Sequence, residues 1–238
     1  MAYFVTGATG FIGRRLVERL LERKGKIHVL VREDSLGRLD DLIEHWETHA
    51  GASAGKRIHP VTGDLRQPML GLQDKQVSEL EGTIEHFFHL AAVYDMTAPV
   101  ELDMAVNVGG TNHAVELAEA LRVERLHHVS SIAVAGTYKG VFGEDCFDEG
   151  QRLPSPYHAT KFEAERIVRE QHMPWRVYRP GIVVGDSKTG EIDKVDGPYY
   201  FFKAIQRMRQ LVPQWVPLVG LDLGKTNIVP VDWVVGAL

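Results

Sequence analysis

Two side chains in this sequence have the types and the spacing that proton transfer requires, Tyr157 and Lys161. They lie four residues apart in a segment with helical periodicity, so both face the same side of a helix and can reach one ligand. A free tyrosine titrates at about 10, and lowering its pKa to about 7 takes roughly 4 kcal/mol of preference for the phenolate. A neighbouring ammonium such as that of Lys161 can supply this preference. Because the same spacing is common on exposed helices, the pair needs support from the rest of the chain.

A pair of serines, Ser130 and Ser131, ends an apolar segment that predicts a strand. Ligands of open parallel sheets bind beyond the carboxyl ends of the strands, which is where these hydroxyls fall. We expect Ser131 to hold a substrate oxygen beside Tyr157. The simpler alternative is that both hydroxyls only end the strand and cap a turn.

A glycine-rich segment, residues 6–13, lies where the first predicted strand passes into the first predicted helix. Gly7 permits a tight turn, Gly10 lets the backbone approach a pyrophosphate, and Gly13 lets the helix and strand pack closely. The amides and the dipole of the helix N-terminus favour negative charge there. Glycines at this spacing, GxxGxxG rather than GxGxxG, are a weak signal alone, but at a strand-to-helix junction they predict a dinucleotide site.

The end of the second predicted strand indicates which dinucleotide binds. An NAD enzyme usually has an acid at this position, which holds the 2′-hydroxyl of the ribose. This chain has Arg32, which suits a 2′-phosphate, and Arg14 and Arg38 could assist it. We therefore predict NADP(H), while Glu33 and Asp34 follow closely and keep NAD as the alternative.

Short apolar segments alternate with segments of helical periodicity along most of the chain. The segments that predict strands are residues 3–6, 27–31, 58–61, 86–90, 125–130 and 176–178. Those that predict helices are residues 12–23, 36–49, 100–121 and 156–170. Strands that are apolar on both faces and separated by helices indicate a parallel sheet covered on both sides. The predicted fold class is α/β, a doubly wound Rossmann sheet.

The last part of the chain differs from the rest, and we divide the sequence at this point. Residues 1–184 are the predicted NADP(H)-binding domain, and residues 185–238 are a partial substrate-binding region. In the second region, residues 199–211 predict a helix and residues 227–231 a late strand. Asp232 has the residue type of an N-cap, and the sequence stops within the first turns of the helix that it would begin. We therefore expect a fragment of a longer chain.

The histidines predict neither a metal site nor a catalytic base. His45 and His49 are spaced like metal ligands on a helix, but no third ligand accompanies them, and we predict no metal. Of the adjacent His127 and His128, one must point away from the site because strand side chains alternate. His89 ends an apolar strand, and we expect it to be a hydrogen-bonded structural residue.

The composition indicates a globular protein and argues against several other classes of protein. With 44% apolar and 25% charged residues the sequence is typical of a globular domain, and its net charge of −5 gives no basic face for nucleic acid. The single cysteine, Cys146, allows no internal disulfide and fits a reducing cytosol, so we expect a cytoplasmic protein. No apolar run approaches the roughly 18 residues of a membrane helix, although attachment to a membrane surface stays open.

In their order along the chain, these motifs resemble those of the extended short-chain dehydrogenases. The segments that carry the resemblance are residues 6–13, 63–65, 89–92, 107, 129–131, 157–161 and 178–181. Sugar-nucleotide epimerases of that superfamily usually have a tyrosine where Ala135 stands, which argues against a sugar-nucleotide substrate. Residues 185–220 look like those of bacterial fatty acyl-CoA reductases, in which a second reductase module follows this one.

The resemblance implies a set of cofactor contacts in addition to Arg32 and Arg38. Those to the pyrophosphate are expected at Gly7, Thr9, Gly10, Phe11 and Ile12. Those to the adenine and along the groove are expected at Asp64, Leu65, Ala91 and Ala92. Those to the nicotinamide side are expected at Ser130, Tyr157, Lys161, Pro180, Gly181, Ile182 and Val183, with Asn107 in the helix behind the site.

The resemblance also implies a reaction. Hydride passes from NADPH to a carbonyl carbon, Tyr157 gives a proton to the oxygen, Ser131 holds that oxygen, and Lys161 lowers the tyrosine pKa. The substrate we favour is a fatty aldehyde or the fatty acyl-CoA before it; residues 199–218 would line its channel or simply pack as core. The alternatives are a carrier-bound thioester, a steroid or other ketone, and a non-catalytic NADP(H)-binding module. The superfamily often forms homodimers through the helices at 100–121 and 156–170.

Overall fold

A six-stranded parallel sheet forms the centre of the computed structural model, which describes residues 1–51, 53, 55–92, 100–192, 199, 206–207, 209–211 and 226–238. Its strands are β1 (Ala2–Thr6), β2 (Lys26–Val31), β3 (Ile58–Thr62), β4 (His86–His89), β5 (Arg125–Val129) and β6 (Trp175–Tyr178). Their spatial order is β3-β2-β1-β4-β5-β6. This is the order of a doubly wound dinucleotide-binding sheet, in which the crevice for the ligand opens where the order reverses, between β1 and β4.

Helices connect the strands and cover both faces of the sheet. They are α1 (Phe11–Leu21), α2 (Leu36–Ala50), α3 (Asp74–Leu80), α4 (Val100–Asp103), α5 (Gly110–Ala120), α6 (Pro156–Arg169) and α7 (Val231–Ala237). A π-helical segment, Met104–Gly109, joins α4 to α5, and a short 3-10 turn, Ile132–Ala135, follows β5. A separate pair of parallel strands is formed by β7 (Ile182–Val184) and β8 (Ile228–Pro230).

The two faces of the sheet belong to two hydrophobic cores. On one face, Phe4, Phe87 and Leu126 lie side by side across three strands and pack against α3, α5 and α6. On the other face, Val5 and Phe88 pack against α1, α2 and α7. This burial on both faces explains why the strands are almost continuously apolar, and it confirms the predicted fold class.

Apart from the predicted helix 199–211, most of which lies outside the described residues, each predicted strand and helix has its counterpart in the structure. Among the described elements, β7 and α3 were not predicted. The strand β7 is only three residues long. The helix α3 has seven residues and little apolar periodicity, but Gln73 and Gln76 form a reciprocal capping box at its start, which was the available signal.

The predicted N-cap at Asp232 is wrong. The helix α7 begins one residue earlier, at Val231, and Pro230 is its N-cap. The carboxylate of Asp232 lies in the first turn and accepts hydrogen bonds from the backbone N–H and the hydroxyl of Ser187. A partner distant in sequence therefore determines the role of this side chain.

The predicted boundary at residue 184 stays a prediction. In the described part of 185–238, Val231 and Val235 of α7 pack into the core that α1 shares with the sheet. Most of the predicted helix 199–211, and residues 212–218 of the predicted channel, lie outside the described residues. Among the helices that the structure describes, none has the length and apolar character needed to cross a membrane.

The contact between α1 and the glycine-rich turn gives a test of the fold. A Cβ on Gly13 would clash with the carbonyl oxygen of Gly7, so we expect Gly13→Ala to lower the free energy of unfolding by about 1–3 kcal/mol. The control is Gly37→Ala on α2, where a Cβ meets nothing within 4 Å and should raise stability by up to about 1 kcal/mol. Urea unfolding measures both. Equal stability of the two variants would contradict the close contact.

Candidate cofactor and active site

The carboxyl edge of the sheet carries nearly all the predicted site residues. The glycine-rich turn follows β1, Arg32 follows β2, and Asp64 comes after β3. The remaining groups come from the ends of β4, β5 and β6 and from the start of α6. Because parallel strands present their carboxyl ends at one edge, residues far apart in sequence lie along one crevice.

The glycine-rich turn has the geometry that a pyrophosphate needs. Gly7 has a φ of 75°, and a Cβ there would lie 2.7 Å from the backbone nitrogen of Ala91. Gly10 is the N-cap of α1, its N–H donates to the Gly7 carbonyl (3.0 Å), and the nearest atom to an added Cβ is that same oxygen at 3.2 Å. Gly7 and Gly13 are thus required by packing. Gly10 is exposed at the positive end of a helix, where an added Cβ would be in tight contact with the Gly7 carbonyl.

The rest of this turn packs against the protein. Phe11 and Ile12 are partly buried against the core beneath α1, and Thr9 is half-buried. Ala91 and Ala92 follow β4 and Leu90, and the backbone of Ala91 packs closely against Gly7 of the turn. These residues fit a cofactor in the predicted groove, and their individual contacts stay predictions.

Basic residues lie at the predicted adenosine end. Arg32 is 59% exposed and its Nε is 3.5 Å from the carboxylate of Asp34, while Arg38 is exposed in the first turn of α2. The Asp64 carboxylate accepts hydrogen bonds from the guanidinium of Arg66, the shortest of them 2.6 Å, and from its backbone N–H (2.9 Å), and these bonds lower the pKa of the aspartate. Arg66 was not predicted, and it belongs to this charged group.

The loop after β3 is fixed by the helix α5. The carbonyl of Leu65 accepts a hydrogen bond from Nδ1 of His113 (2.8 Å), and a Cβ on Gly110 would lie 3.1 Å from the side chain of Leu65. The close approach of α5 therefore fixes the position of Leu65, and its contact with the adenine stays a prediction.

Lys161 is buried between α6 and β5. Its Nζ donates to the carbonyl of Val129 (3.0 Å), the last residue of β5. Burial lowers the pKa of Lys161 to about 8, and the nearby Glu165 carboxylate opposes this effect. Tyr157 is half-buried one turn earlier, at the second position of α6. The two predicted catalytic side chains are thus adjacent on the helix, and α6 packs against the turn that follows Ser131.

The two serines face different surroundings. Ser130 is buried, and its hydroxyl donates to Glu165 (2.7 Å), so this side chain is directed into the protein. Ser131 is half-buried and is the N-cap of the turn Ile132–Ala135, where its oxygen accepts the N–H of Ala133 (3.1 Å). Its hydroxyl proton stays available for another acceptor. This arrangement favours Ser131 over Ser130 as the substrate-binding hydroxyl, and a cofactor contact of Ser130 would use its main chain.

The segment after β6 carries the residues predicted to lie on the nicotinamide side. The carbonyl of Pro180 accepts the N–H of Ile132 (3.1 Å), which connects this segment to the turn after Ser131. A Cβ on Gly181 would lie 2.5 Å from the carbonyl oxygen of Asn227, so packing against β8 explains this glycine. Ile182 is 39% exposed, and Val183 is partly buried.

A chain of hydrogen bonds runs behind the site through His89. The hydroxyl of Thr111 donates to the carbonyl of Asn107 (2.6 Å), so it can only accept from Nε2 of His89 (3.1 Å). Nδ1 of His89 then accepts from the hydroxyl of Thr6 (2.8 Å), whose oxygen receives the N–H of Ala91 (3.3 Å). Burial lowers the pKa of His89 to about 3, so the ring stays neutral with its proton on Nε2.

This series of hydrogen bonds connects the predicted cofactor groove to the helix behind the predicted catalytic residues. Asn107 is buried in the π-helical segment, and its Nδ2 lies 3.5 Å from the hydroxyl of Thr160 on α6. The predicted structural role of His89 agrees with this network. Its partners, Thr6 and Thr111, were not predicted, because nothing in the sequence relates them to His89.

Comparison with known protein families assigns this chain to one of them. Residues 5–238 match the profile of the Male sterility protein family of NAD-binding domains (NAD_binding_4). The chain belongs to this family. The assignment supports an NAD(P)-binding oxidoreductase of the extended short-chain dehydrogenase type, as the motifs predict, and does not distinguish NADP from NAD.

Relatives in this family belong to longer proteins. A linear gramicidin synthase polypeptide of Brevibacillus parabrevis is 36% identical over 208 residues, which are 82% of this chain and 4% of that protein. The fatty acyl-CoA reductase wat of Drosophila melanogaster is 28% identical over 280 residues, covering 99% of this chain and 52% of that protein. The crystal structure of the terminal R domain from the myxalamid PKS-NRPS biosynthetic pathway is 30% identical, with a TM-score of 0.83, covering 99% of this chain and 60% of that one.

The histidine network predicts opposite effects for two neighbouring histidines. His89→Leu leaves the hydroxyl of Thr6 without its acceptor, so we expect the free energy of unfolding to fall by about 1–3 kcal/mol. His128, stacked beside His89, has two buried ring nitrogens with no hydrogen-bond partner among the described residues. Replacing it with leucine should leave stability unchanged or raise it. Urea unfolding measures the free energy of unfolding of both variants. An equal loss of stability in both would contradict the network.

Proposed function

We propose that this chain is an NADPH-dependent reductase of a long-chain carbonyl compound. The substrate is a fatty aldehyde, which becomes the alcohol, or the fatty acyl-CoA thioester that precedes the aldehyde. The arrangement of Lys161, Tyr157 and Ser131 beside a glycine-rich turn carries the proposal. The similarity to the Drosophila protein named fatty acyl-CoA reductase supports the substrate class.

The residues of the crevice fit a dinucleotide. Exposed Gly10 at the N-terminus of α1 suits a pyrophosphate, and exposed Arg32, assisted by Arg38, suits the 2′-phosphate that distinguishes NADP from NAD. NADPH, when bound, supplies the hydride. The exposed acids Glu33 and Asp34 are the basis of the NAD alternative, and Asp34 is already engaged with Arg32 and Ser35.

Two side chains of this protein act on the carbonyl oxygen, and a third acts on Tyr157. Ser131 donates its hydroxyl proton in a hydrogen bond that orients the substrate, and Tyr157 transfers a proton to the oxygen as negative charge develops. Lys161 stabilises the phenolate that results. Its ammonium is buried, and the attraction between opposite charges is stronger where water is excluded. Since its pKa is about 8, Lys161 carries this charge at neutral pH.

A second candidate substrate is a thioester bound to a carrier protein. It is favoured by the 36% identity to a gramicidin synthase and by the similarity to an R domain of a PKS-NRPS pathway. The same side chains would serve this reaction. Dodecanoyl-CoA and dodecanoyl-loaded carrier protein, compared at equal concentration, distinguish the two. The presence of both Tyr157 and Lys161 argues against a non-catalytic binding module.

The domain organisation, the localisation and the oligomeric state are also proposals. We place the substrate-binding region at residues 185–238, with a second reductase domain on the same polypeptide. We further propose a cytoplasmic protein that can associate with a membrane surface, and a homodimer formed through α5 and α6.

Removing one phenolic oxygen tests the proposed mechanism. Tyr157→Phe should lower kcat for dodecanal by about 100-fold or more, because the general acid is lost, while the Kd for NADPH is preserved. NADPH consumption and tryptophan fluorescence titration provide the two readouts. Tyr138→Phe, which removes a hydroxyl from an exposed part of the chain, is the control and should keep the normal rate. Near-normal turnover by Tyr157→Phe would refute the mechanism.

Arg32 tests the choice of cofactor. Because a charge-assisted hydrogen bond contributes about 1.5–3 kcal/mol, Arg32→Ala should weaken NADPH binding by roughly tenfold to hundredfold. NADH binding should not change, since NADH has no 2′-phosphate. Arg19→Ala, at an exposed arginine on α1, is the matched control. An equal effect on both cofactors would contradict the assignment of Arg32.

A further inference from the structure

Glu165 is a fully buried carboxylate one helical turn beyond Lys161. Its side chain is 0% exposed and accepts hydrogen bonds from the Ser130 hydroxyl (2.7 Å), Arg169 Nε (2.7 Å) and Arg179 Nη2 (2.6 Å). Burial by itself would raise the pKa of Glu165, but the hydrogen bonds from Arg179, Ser130 and Arg169 hold it below its ordinary value. The group is therefore an anion, and it joins α6 to the end of β5 and to the residue after β6.

Arg179 binds Glu165 and also contacts the segment that lies between Ser131 and Tyr157 in the sequence. Its Nη2 also donates to the carbonyl of Cys146 (2.8 Å), its Nη1 donates to that of Gly143 (3.4 Å), and its guanidinium lies over the ring of Phe142 (5.2 Å). One side chain thus holds Glu165 and two backbone carbonyls. The planar fork of an arginine can do this, and a lysine cannot.

Residues 142–147, which we call the clamped segment, are held at a second point. Phe147 stacks on Phe162 of α6 with ring centres 4.4 Å apart, and Arg169 lies over Phe147 at 4.7 Å. Nε2 of Gln151 donates to the carbonyl of Phe147 (2.7 Å). The clamped segment is therefore fixed to α6 by aromatic contacts as well as by charge.

The position of the clamped segment in the chain relates it to the reaction. It lies in the connection that begins at Ser131 and ends at Ser155, the N-cap of α6. Tyr157 follows two residues later. The connection thus joins Ser131 to the start of the helix that carries Tyr157, and Ser130 directly precedes it. A displacement of Ser130 or of the connection therefore changes the position of Ser131 relative to Tyr157.

We propose that the Glu165–Arg179 ion pair positions Ser131 against Tyr157, by holding Ser130 on one side and the clamped segment on the other. Both are positioning residues for the reaction proposed above, on which this inference rests. The pyrophosphate turn and Arg32 come from other strands, so loss of the ion pair should lower kcat and preserve the affinity for NADPH. A purely structural role would affect stability without separating these two quantities.

The test uses the full chain and the variants Arg179→Gln, Glu165→Gln and Ser130→Ala. The matched control is Glu163→Gln, which removes a carboxylate from the same helix at a partly exposed pair with Arg166. Circular dichroism identifies a temperature at which every variant is folded. At that temperature, kcat with dodecanal and the Kd for NADPH are measured for each one.

A second readout is independent of activity. Cys146, the only cysteine in the chain, lies in the clamped segment, so the rate at which its thiol reacts with a disulfide reagent reports on that segment alone. We expect faster labelling in Arg179→Gln and Glu165→Gln. We expect their kcat to fall by roughly tenfold to hundredfold, the size of effect that a small misplacement produces. Ser130→Ala should lower kcat less, and Glu163→Gln should match the wild type in both readouts.

The outcomes separate this inference from the proposed function. Unchanged labelling in both charge variants would overturn the clamp, and faster labelling with unchanged kcat would overturn its positioning role. If Arg179→Gln does not fold, Ser130→Ala decides, because it keeps both charges and an unchanged kcat there overturns the proposal. A wild-type chain without NADPH-dependent reduction would refute the proposed function, while labelling would still decide whether the clamp exists.

Discussion

The burial of one ammonium group is the constraint on which the catalytic half of this protein depends. Lys161 lies between α6 and β5, and removing its charge from water is unfavourable unless hydrogen bonds or an opposite charge compensate. The carbonyl of Val129 and the carboxylate of Glu165 provide that compensation. Because Val129 is the last residue of β5, the same hydrogen bond fixes the start of α6 near the strand end. This contact therefore anchors the helix that carries Tyr157 beside the strand that precedes Ser130 and Ser131.

The cofactor half depends instead on close backbone packing. Gly7 and Gly13 allow the turn to lie against α1 and the end of β4, and Gly10 is exposed at the helix N-terminus. The neutral ring of His89 connects this half to the helix behind the catalytic residues through hydrogen bonds that run in one direction. The two halves lie along the carboxyl edge of one sheet, with β4 between β1 and β5. In the proposed function, a dinucleotide and a carbonyl would bind side by side along this edge.

The sequence predicted those features that local pattern determines. Apolar segments such as 27–31 indicated strands buried on both faces, and glycines between a strand and a helix indicated the turn. Features that depend on distant partners could not be predicted. Ser130 and Ser131 are adjacent, and it is Glu165, 35 residues away, that directs Ser130 inward. Asp232 has the residue type of an N-cap, yet Ser187, 45 residues away, determines its contacts. The cofactor contacts named from the motifs, and the preference for NADP, stay predictions, as does the boundary at residue 184.

The central claim is that this crevice transfers hydride from a nicotinamide to a carbonyl carbon beside Tyr157. Its most direct test follows the hydrogen itself. The chain is incubated with dodecanal and NADPH that carries deuterium at the transferred position of the nicotinamide ring, and the products are analysed by mass spectrometry. We expect dodecanol with deuterium on the alcohol carbon, formed in an amount equal to the NADPH consumed. Dodecanol without deuterium, or bound NADPH that is never oxidised in the presence of aldehyde or thioester, would contradict it.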